Sequence, residues 1–87
     1  MEEIELKIKE YYTTFINQYH TCFHTKYERC VIEEYRNTLS KMFNIPSGHR
    51  WKFKEWYDIQ DYAMQLLVDD GFIDEASKNF YCKRIPN

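Results

Sequence analysis

Apolar side chains recur at intervals of three and four residues from Ile4 to Cys22. This repeat follows one face of an α-helix, because each turn brings residues three and four apart onto the same side. The pattern predicts a first helix that runs from about Glu2 to about His24.

A second helix is predicted to start where Thr25 stands three residues before Glu28. That spacing is typical of a capping box, in which the Thr hydroxyl accepts from a free backbone N–H and the Glu side chain reaches back. Apolar positions at helical intervals then continue until Asn44 and Pro46, which end the helix because a proline biases the preceding residue away from helical angles. A single bent helix over residues 2–43 is the alternative.

The third predicted helix runs from about Lys54 to Asp70, where an apolar face lies opposite a polar stripe. Gly71 follows at the position of a C-terminal cap. Just before the helix, residues 49–53 alternate polar and aromatic side chains. This alternation is consistent with either a short strand or the lead into the helix.

After Gly71, two short apolar runs at 72–74 and 79–85 flank the polar residues 75–78. Two such runs around a polar turn predict a small β-hairpin, which would have to pack on the helices to be stable. The expected fold is therefore mainly α, a three-helix domain with a small C-terminal β-hairpin at the margin of the α+β class. Residues 1–87 are expected to form a single compact domain.

The order of helix, glycine and hairpin over residues 66–74 and 80–85 resembles the recognition-helix-to-wing segment of winged-helix domains. The resemblance implies a regulatory protein that binds nucleic acid. In this chain, however, the helix in the recognition position carries acids on its exposed stripe, and these would repel phosphates. A winged-helix-like fold here would therefore favour a protein partner.

Composition indicates a folded chain, since 44% of the 87 residues are hydrophobic and 18% are aromatic. Three cysteines are an odd number at irregular spacing, which favours reduced thiols and a cytoplasmic location. The acidic N-terminus lacks the features of a signal peptide, and no apolar run approaches the roughly 20 residues of a membrane span. No membrane association is expected.

The metal-ligand side chains His20, Cys22, His24 and Cys30 fall close together in the sequence. On a continuous helix Cys22 points away from His20, and Cys30 belongs to the next helix, so we expect no metal site and no cofactor. If Cys22 acted as a nucleophile with a neighbouring histidine as base, a third group would have to orient that base, and the sequence marks none. The chain also has no glycine-rich loop that could bind phosphate. The protein is therefore expected not to be an enzyme.

Charge is strongly segregated along the chain. Five basic residues and no acid lie between 35 and 54, whereas seven acids and no base lie between 55 and 75. The acids on the exposed stripe of the third predicted helix form an acidic face for a protein partner: Glu55, Asp58, Asp61 and Asp69. A rival nucleic-acid surface, interleaved with aromatic residues that can stack on bases, consists of Arg50, Lys52, Lys54, Lys83 and Arg84.

The net charge of −2 disfavours binding to the phosphates of a nucleic acid, so a protein partner is the preferred hypothesis. The sequence is interpreted as a small non-catalytic protein that binds a macromolecular partner, of the phage anti-defence, antitoxin or immunity type, acting as an inhibitor or accessory factor. Nucleic-acid binding by a winged-helix-like regulator is the alternative. A homodimer through exposed tyrosines is also left open.

Overall fold

Helix is the regular secondary structure of residues 2–83, which the computed structural model describes. Within this range the chain forms four α-helices, which are α1 (Glu2–Tyr19), α2 (Glu28–Met42), α3 (Lys54–Asp69) and α4 (Glu75–Tyr81). Short stretches of 3-10 helix, His20–Cys22 and Ser47–Lys52, lie in the connections after α1 and α2. The mainly helical class is confirmed, and no strand occurs in the described range.

The chain breaks between α1 and α2 near the predicted capping box, but α2 begins at Glu28 with Tyr27 as its N-cap, and Thr25 does not cap it as predicted. Thr25 Oγ1 accepts from the backbone N–H of Tyr27 at 3.1 Å, and Glu28 Oε1 accepts from the backbone N–H of His24 at 2.8 Å. Helix α1 ends at Tyr19, earlier than predicted, because the chain tightens into 3-10 helix and His24 then adopts a φ of 63°. Two separate helices are confirmed over one bent helix.

Helices α2 and α3 both end in a Schellman motif. The N–H of Ile45 donates at 2.8 Å to a carbonyl of the last turn of α2, and the N–H of Phe72 does the same at 2.9 Å for α3. Each motif needs one residue in the left-handed conformation, here Asn44 at φ 57° and Gly71 at φ 79°. The predicted helix ends at these two residues are confirmed.

The predicted C-terminal hairpin is wrong, because residues 75–81 form α4. Asp74 begins this helix by accepting from the backbone N–H of Ser77 at 2.8 Å. The polar residues 75–78, interpreted from the sequence as a turn, are the first turn of α4, and 79–81 continue it. Residues 84–85 of the predicted second strand lie outside the described range.

Two further expectations change with this correction. The wing that the winged-helix resemblance implied is replaced by α4 as far as Tyr81. Residues 49–53, for which a strand was one alternative, mostly belong to the 3-10 segment Ser47–Lys52, which has a kink at His49 and leads into α3. The basic residues 50, 52 and 54 therefore lie on helical turns and not along an extended strand.

The core of the described part is aromatic and is centred on Tyr35 of α2. The Tyr35 ring stacks on Phe15 of α1 at 4.4 Å between centroids, and its hydroxyl donates to the Ala63 carbonyl of α3 at 2.8 Å. A second tie joins α1 to the end of α3, where the Tyr12 hydroxyl donates to Asp70 Oδ2 at 2.6 Å. These contacts fix α3 against the first two helices.

Helix α4 packs against α3. Lys78 is the main polar link, since its ammonium lies 3.0 Å from Asp61 Oδ1 and donates to Gln65 Oε1 at 2.6 Å.

Within residues 2–83, no helix has both the length and the apolar character needed to cross a membrane.

Candidate functional site

A pocket of about 200 Å³ opens between α2, the Ser47–Lys52 segment and α3. We call it the arginine–tryptophan pocket, and its lining residues are Arg36, Ser47, Arg50, Trp51, Trp56, Tyr57, Gln60 and Lys83. Three of these side chains are cationic and three are aromatic, and none of the eight is acidic. Both tryptophans of the chain lie here. This combination suits an anionic or planar guest, because guanidinium groups bind carboxylates and stack on rings.

Arg50 is held in place from three sides. Its Nη1 donates to Asn37 Oδ1 at 3.1 Å, its Nη2 lies 3.9 Å from Glu33 Oε2, and its guanidinium lies 5.0 Å from the centroid of the Trp56 ring. Burial, and then the nearby charge of Arg36, lower the pKa of Arg50. An arginine remains charged at neutral pH even so, and this cation therefore forms a fixed part of the pocket wall.

Arg36, which lies on α2, is also held by contacts of its guanidinium group. Its Nε and Nη2 donate to Gln60 Oε1 at 3.3 and 3.1 Å, and its Nη1 contacts Glu33 Oε1. Gln60 is only 2% exposed, so it anchors the guanidinium from inside the core. The two arginines thus share Glu33 as a neighbouring acid, and the pair has one more positive charge than negative.

The two tryptophans occupy different parts of the pocket. Trp56 is buried beneath Arg50 and closes the floor, whereas Trp51 stands at the rim with 46% of its surface exposed. The Trp51 carbonyl accepts from the Tyr57 hydroxyl at 3.2 Å, and the Lys52 ammonium lies 5.2 Å from the Trp51 ring centroid. A large flat ring is therefore presented to solvent beside several cations.

Arginine–aromatic contacts continue from the pocket toward α4. The Arg36 guanidinium lies 5.8 Å from the Tyr81 ring centroid, and the Arg29 guanidinium lies 5.7 Å from that of Phe80, which is exposed. Arg36 therefore connects the pocket to the half-buried Tyr81 ring, whose centroid lies 5.2 Å from that of the exposed Phe80 ring.

The predicted nucleic-acid residues only partly come together. Arg50 and Lys83 line the pocket, Lys52 stands at its rim, and Lys54 is exposed at the start of α3. Arg84 lies outside the residues that the structure describes. Arg36 and Gln60, which complete the pocket, were not predicted as site residues, because no spacing in the sequence relates them to Arg50.

The predicted acidic face is exposed along α3, but two of its four acids already have partners within the protein. Asp61 pairs with Lys78 of α4, and Asp69 accepts from Gln65 Nε2 at 2.9 Å. Glu55 and Asp58 have no side-chain partner among residues 2–83. Only these two are available to an outside partner without the loss of an internal contact.

The candidate metal ligands are distributed over several local structures. His20 Nδ1 lies 3.0 Å from the Ile16 carbonyl, His24 sits in the connection between α1 and α2, Cys22 is half-buried and Cys30 is exposed. Across the described range, no three His, Cys, Asp or Glu side chains form a group able to hold a metal ion.

Comparison of the chain with protein-family models, curated proteins and solved structures found no match. The side chains of the arginine–tryptophan pocket therefore carry the functional interpretation. They provide binding chemistry, consisting of fixed cations and an exposed ring around a pocket of about 200 Å³.

Proposed function

We propose that the protein is a non-catalytic binding protein that acts on another protein as an inhibitor or accessory factor, with the arginine–tryptophan pocket as its anchor. The observation that carries this proposal is Trp51, nearly half exposed beside Arg50 and Lys52. Tryptophan, tyrosine and arginine dominate the binding energy of protein–protein interfaces, particularly where they line a pocket.

The volume of the pocket supports a macromolecular partner. About 200 Å³ is less than the roughly 300–1,000 Å³ of sites that enclose a whole small molecule. The space suits one side chain or one base that projects from something larger. Glu55 and Asp58, which are exposed on α3 and do not line the pocket, are charges that can steer a partner more than they hold it.

The proposed class is that of phage anti-defence proteins, antitoxins and immunity proteins, which are short chains that act by binding. Support comes from the binding chemistry of the pocket and the sequence pI of 5.9. Cys22, Cys30 and Cys82 are free thiols, which supports a cytoplasmic setting because such thiols stay reduced there.

Direct nucleic-acid binding is the second candidate, and the placement of Trp51 favours it specifically. A base can stack on the exposed ring while Lys52 and Lys83 contact phosphates. Such binding would fall steeply as salt is raised, because each neutralised phosphate releases a counterion. The net charge of −2 makes this candidate secondary.

The test is affinity capture from nuclease-treated host lysate with tagged wild-type protein, Trp51→Ala and Tyr27→Ala. Tyr27 is a matched control, since it is an exposed aromatic residue beside Lys26 and away from the pocket. We expect a stoichiometric protein partner with the wild type and the control. Binding to Trp51→Ala should be about 30-fold weaker or worse, as for an interface hot spot.

Two outcomes would contradict the proposal. Equal capture of the partner by Trp51→Ala and wild type would exclude the pocket as the anchor. Proteins captured from untreated lysate but lost after nuclease treatment would favour nucleic-acid binding. In the same assay, reversal of Glu55 and Asp58 to Lys tests the unpaired part of the acidic face of α3 without disturbing the Asp61–Lys78 pair. Weaker capture by that variant would indicate a basic surface on the partner.

A further inference from the structure

The carboxylate of Glu33 reaches both arginines of the pocket at once. Its Oε1 contacts Arg36 Nη1, and its Oε2 lies 3.9 Å from Arg50 Nη2. The arginine side chains are only 16% and 15% exposed, whereas that of Glu33 is 43% exposed. The two cations are thus fixed at a separation that one carboxylate spans, and the carboxylate between them has free access to solvent.

The arginine pair is prepared for a second anion. Gln60 and Asn37 hold the two guanidiniums by hydrogen bonds, and Trp56 supports Arg50 from below. Side chains that are already ordered lose little entropy when a ligand binds. The charge of Glu33 offsets only one of the two, and Glu33 can turn into water when another acid takes its place.

We propose that this arginine pair binds an acidic side chain of the protein partner, and that an apolar neighbour of that side chain packs on Trp51. Glu33 is then an internal competitor that satisfies the arginines until the partner arrives. This inference rests on the proposed protein-binding function and names the chemistry that the partner presents, a carboxylate beside an aromatic or aliphatic residue.

Charge favours a carboxylate over a phosphate backbone. Glu33 already places one carboxylate against both guanidiniums, in contact with Arg36 and 3.9 Å from Arg50. The helix that supplies Trp56 and Gln60 also carries Glu55 and Asp58, which would repel successive phosphates of a nucleic acid. A single acidic side chain on a protein avoids that repulsion.

The experiment uses the indole N–H signals of Trp51 and Trp56 in the NMR spectrum of the full chain, since both tryptophans lie in the pocket. The probe is the capped peptide acetyl-Phe-Glu-Phe-amide, and its matched control has Gln in place of Glu. We expect saturable shifts of the indole signals with the Glu peptide. Binding of the Gln peptide should be at least about tenfold weaker, as expected for loss of a charge-assisted hydrogen bond.

The competitor role is tested with Glu33→Gln against Glu34→Gln. Both variants remove one negative charge from neighbouring positions of α2, but Glu34 lies toward Tyr11, away from the arginines. Glu33→Gln should bind the Glu peptide about two- to fivefold more tightly than the wild type, and Glu34→Gln should match the wild type. The wild-type comparison of the two peptides needs no variant to fold.

Several results would overturn the inference. Equal binding of the Glu and Gln peptides would exclude carboxylate recognition, and no gain in Glu33→Gln over Glu34→Gln would exclude the competitor. Saturable binding of adenosine monophosphate that is tighter than that of the Glu peptide would assign the pocket to a nucleotide instead. Loss of partner capture in Trp51→Ala, together with equal peptide binding, would retain the proposed function and reject only this inference.

Discussion

The hydroxyl of Tyr35 is a buried polar group whose removal has a calculable effect. Tyr35→Phe deletes the donor to the Ala63 carbonyl and leaves the ring stacked on Phe15. A hydrogen bond of this kind contributes a net 0.5–1.5 kcal/mol or so, and the Ala63 carbonyl keeps its partner within α3. We expect the free energy of unfolding to fall by about 1 kcal/mol, which lowers Tm by roughly 4–8 °C in a domain of this size.

The same hydroxyl predicts a dependence on pH. Burial, and then the nearby Tyr12, raise the pKa of Tyr35 above its ordinary value of 10.0. The folded state therefore holds the proton more tightly than the unfolded state, so the stabilisation is complete below pH 10 and is lost as the pH rises above it. The loss reaches about 0.8 kcal/mol at pH 10.5 and about 1.4 kcal/mol at pH 11. Tyr35→Phe should become as stable as the wild type between about pH 10.5 and 11.

The assay is urea unfolding followed by circular dichroism at pH 7, 9, 10.5 and 11. Tyr27→Phe is the control, since the Tyr27 ring is exposed and its hydroxyl has no hydrogen-bond partner within the described range. Equal stability of Tyr35→Phe and wild type at pH 7 would refute the buried hydrogen bond. A gap that stayed constant to pH 11 would refute the raised pKa.

Two further predictions concern thiol reactivity and the end of α3. Burial, and then Asp61, raise the pKa of Cys82 from its ordinary value of 9.0 to about 11, so at pH 8 iodoacetamide should modify the exposed Cys30 at least about tenfold faster. Peptide mass spectrometry measures this, and equal rates would contradict it. Gly71→Ala should cost about 1–2 kcal/mol by thermal unfolding, because φ is 79° although no described atom would contact the new Cβ. Gly48→Ala, equally open but without a positive φ, should be neutral, and equal losses would refute the backbone explanation.

Amphipathic length decided which helices were predictable from the sequence. Helices α1, α2 and α3 each span four turns or more, so their apolar repeats stand out against chance. Helix α4 has seven residues, too few for a repeat, and its run of Phe80, Tyr81 and Cys82 matches a strand equally well. The available signal was the cap, since Asp74 followed by Glu75 and Ala76 is a typical helix start.

The pocket was harder to predict than the helices because its members come from four separate segments. Charge patterning did single out Arg50, Lys52 and Lys83, and the apolar repeat did place Trp56 in the core. Arg36 belongs to the same basic run between 35 and 54 as Arg50, but only the packing of α2 on the Ser47–Lys52 segment brings the two side chains together. Sites assembled from distant segments depend on tertiary structure and leave few marks on local periodicity.

Gln60 is the residue whose place in the sequence pattern points to the pocket. It lies on the apolar side of α3, between Trp56 and Met64 along one helical face, yet its side chain is polar. Burial of an amide is unfavourable unless the group is hydrogen-bonded, so such a position requires a partner from another element. That partner is Arg36, whose guanidinium is thereby fixed against α3. A lone amide on an apolar helical face therefore indicates a polar site at the edge of the core, and here that site lies beside the exposed tryptophan.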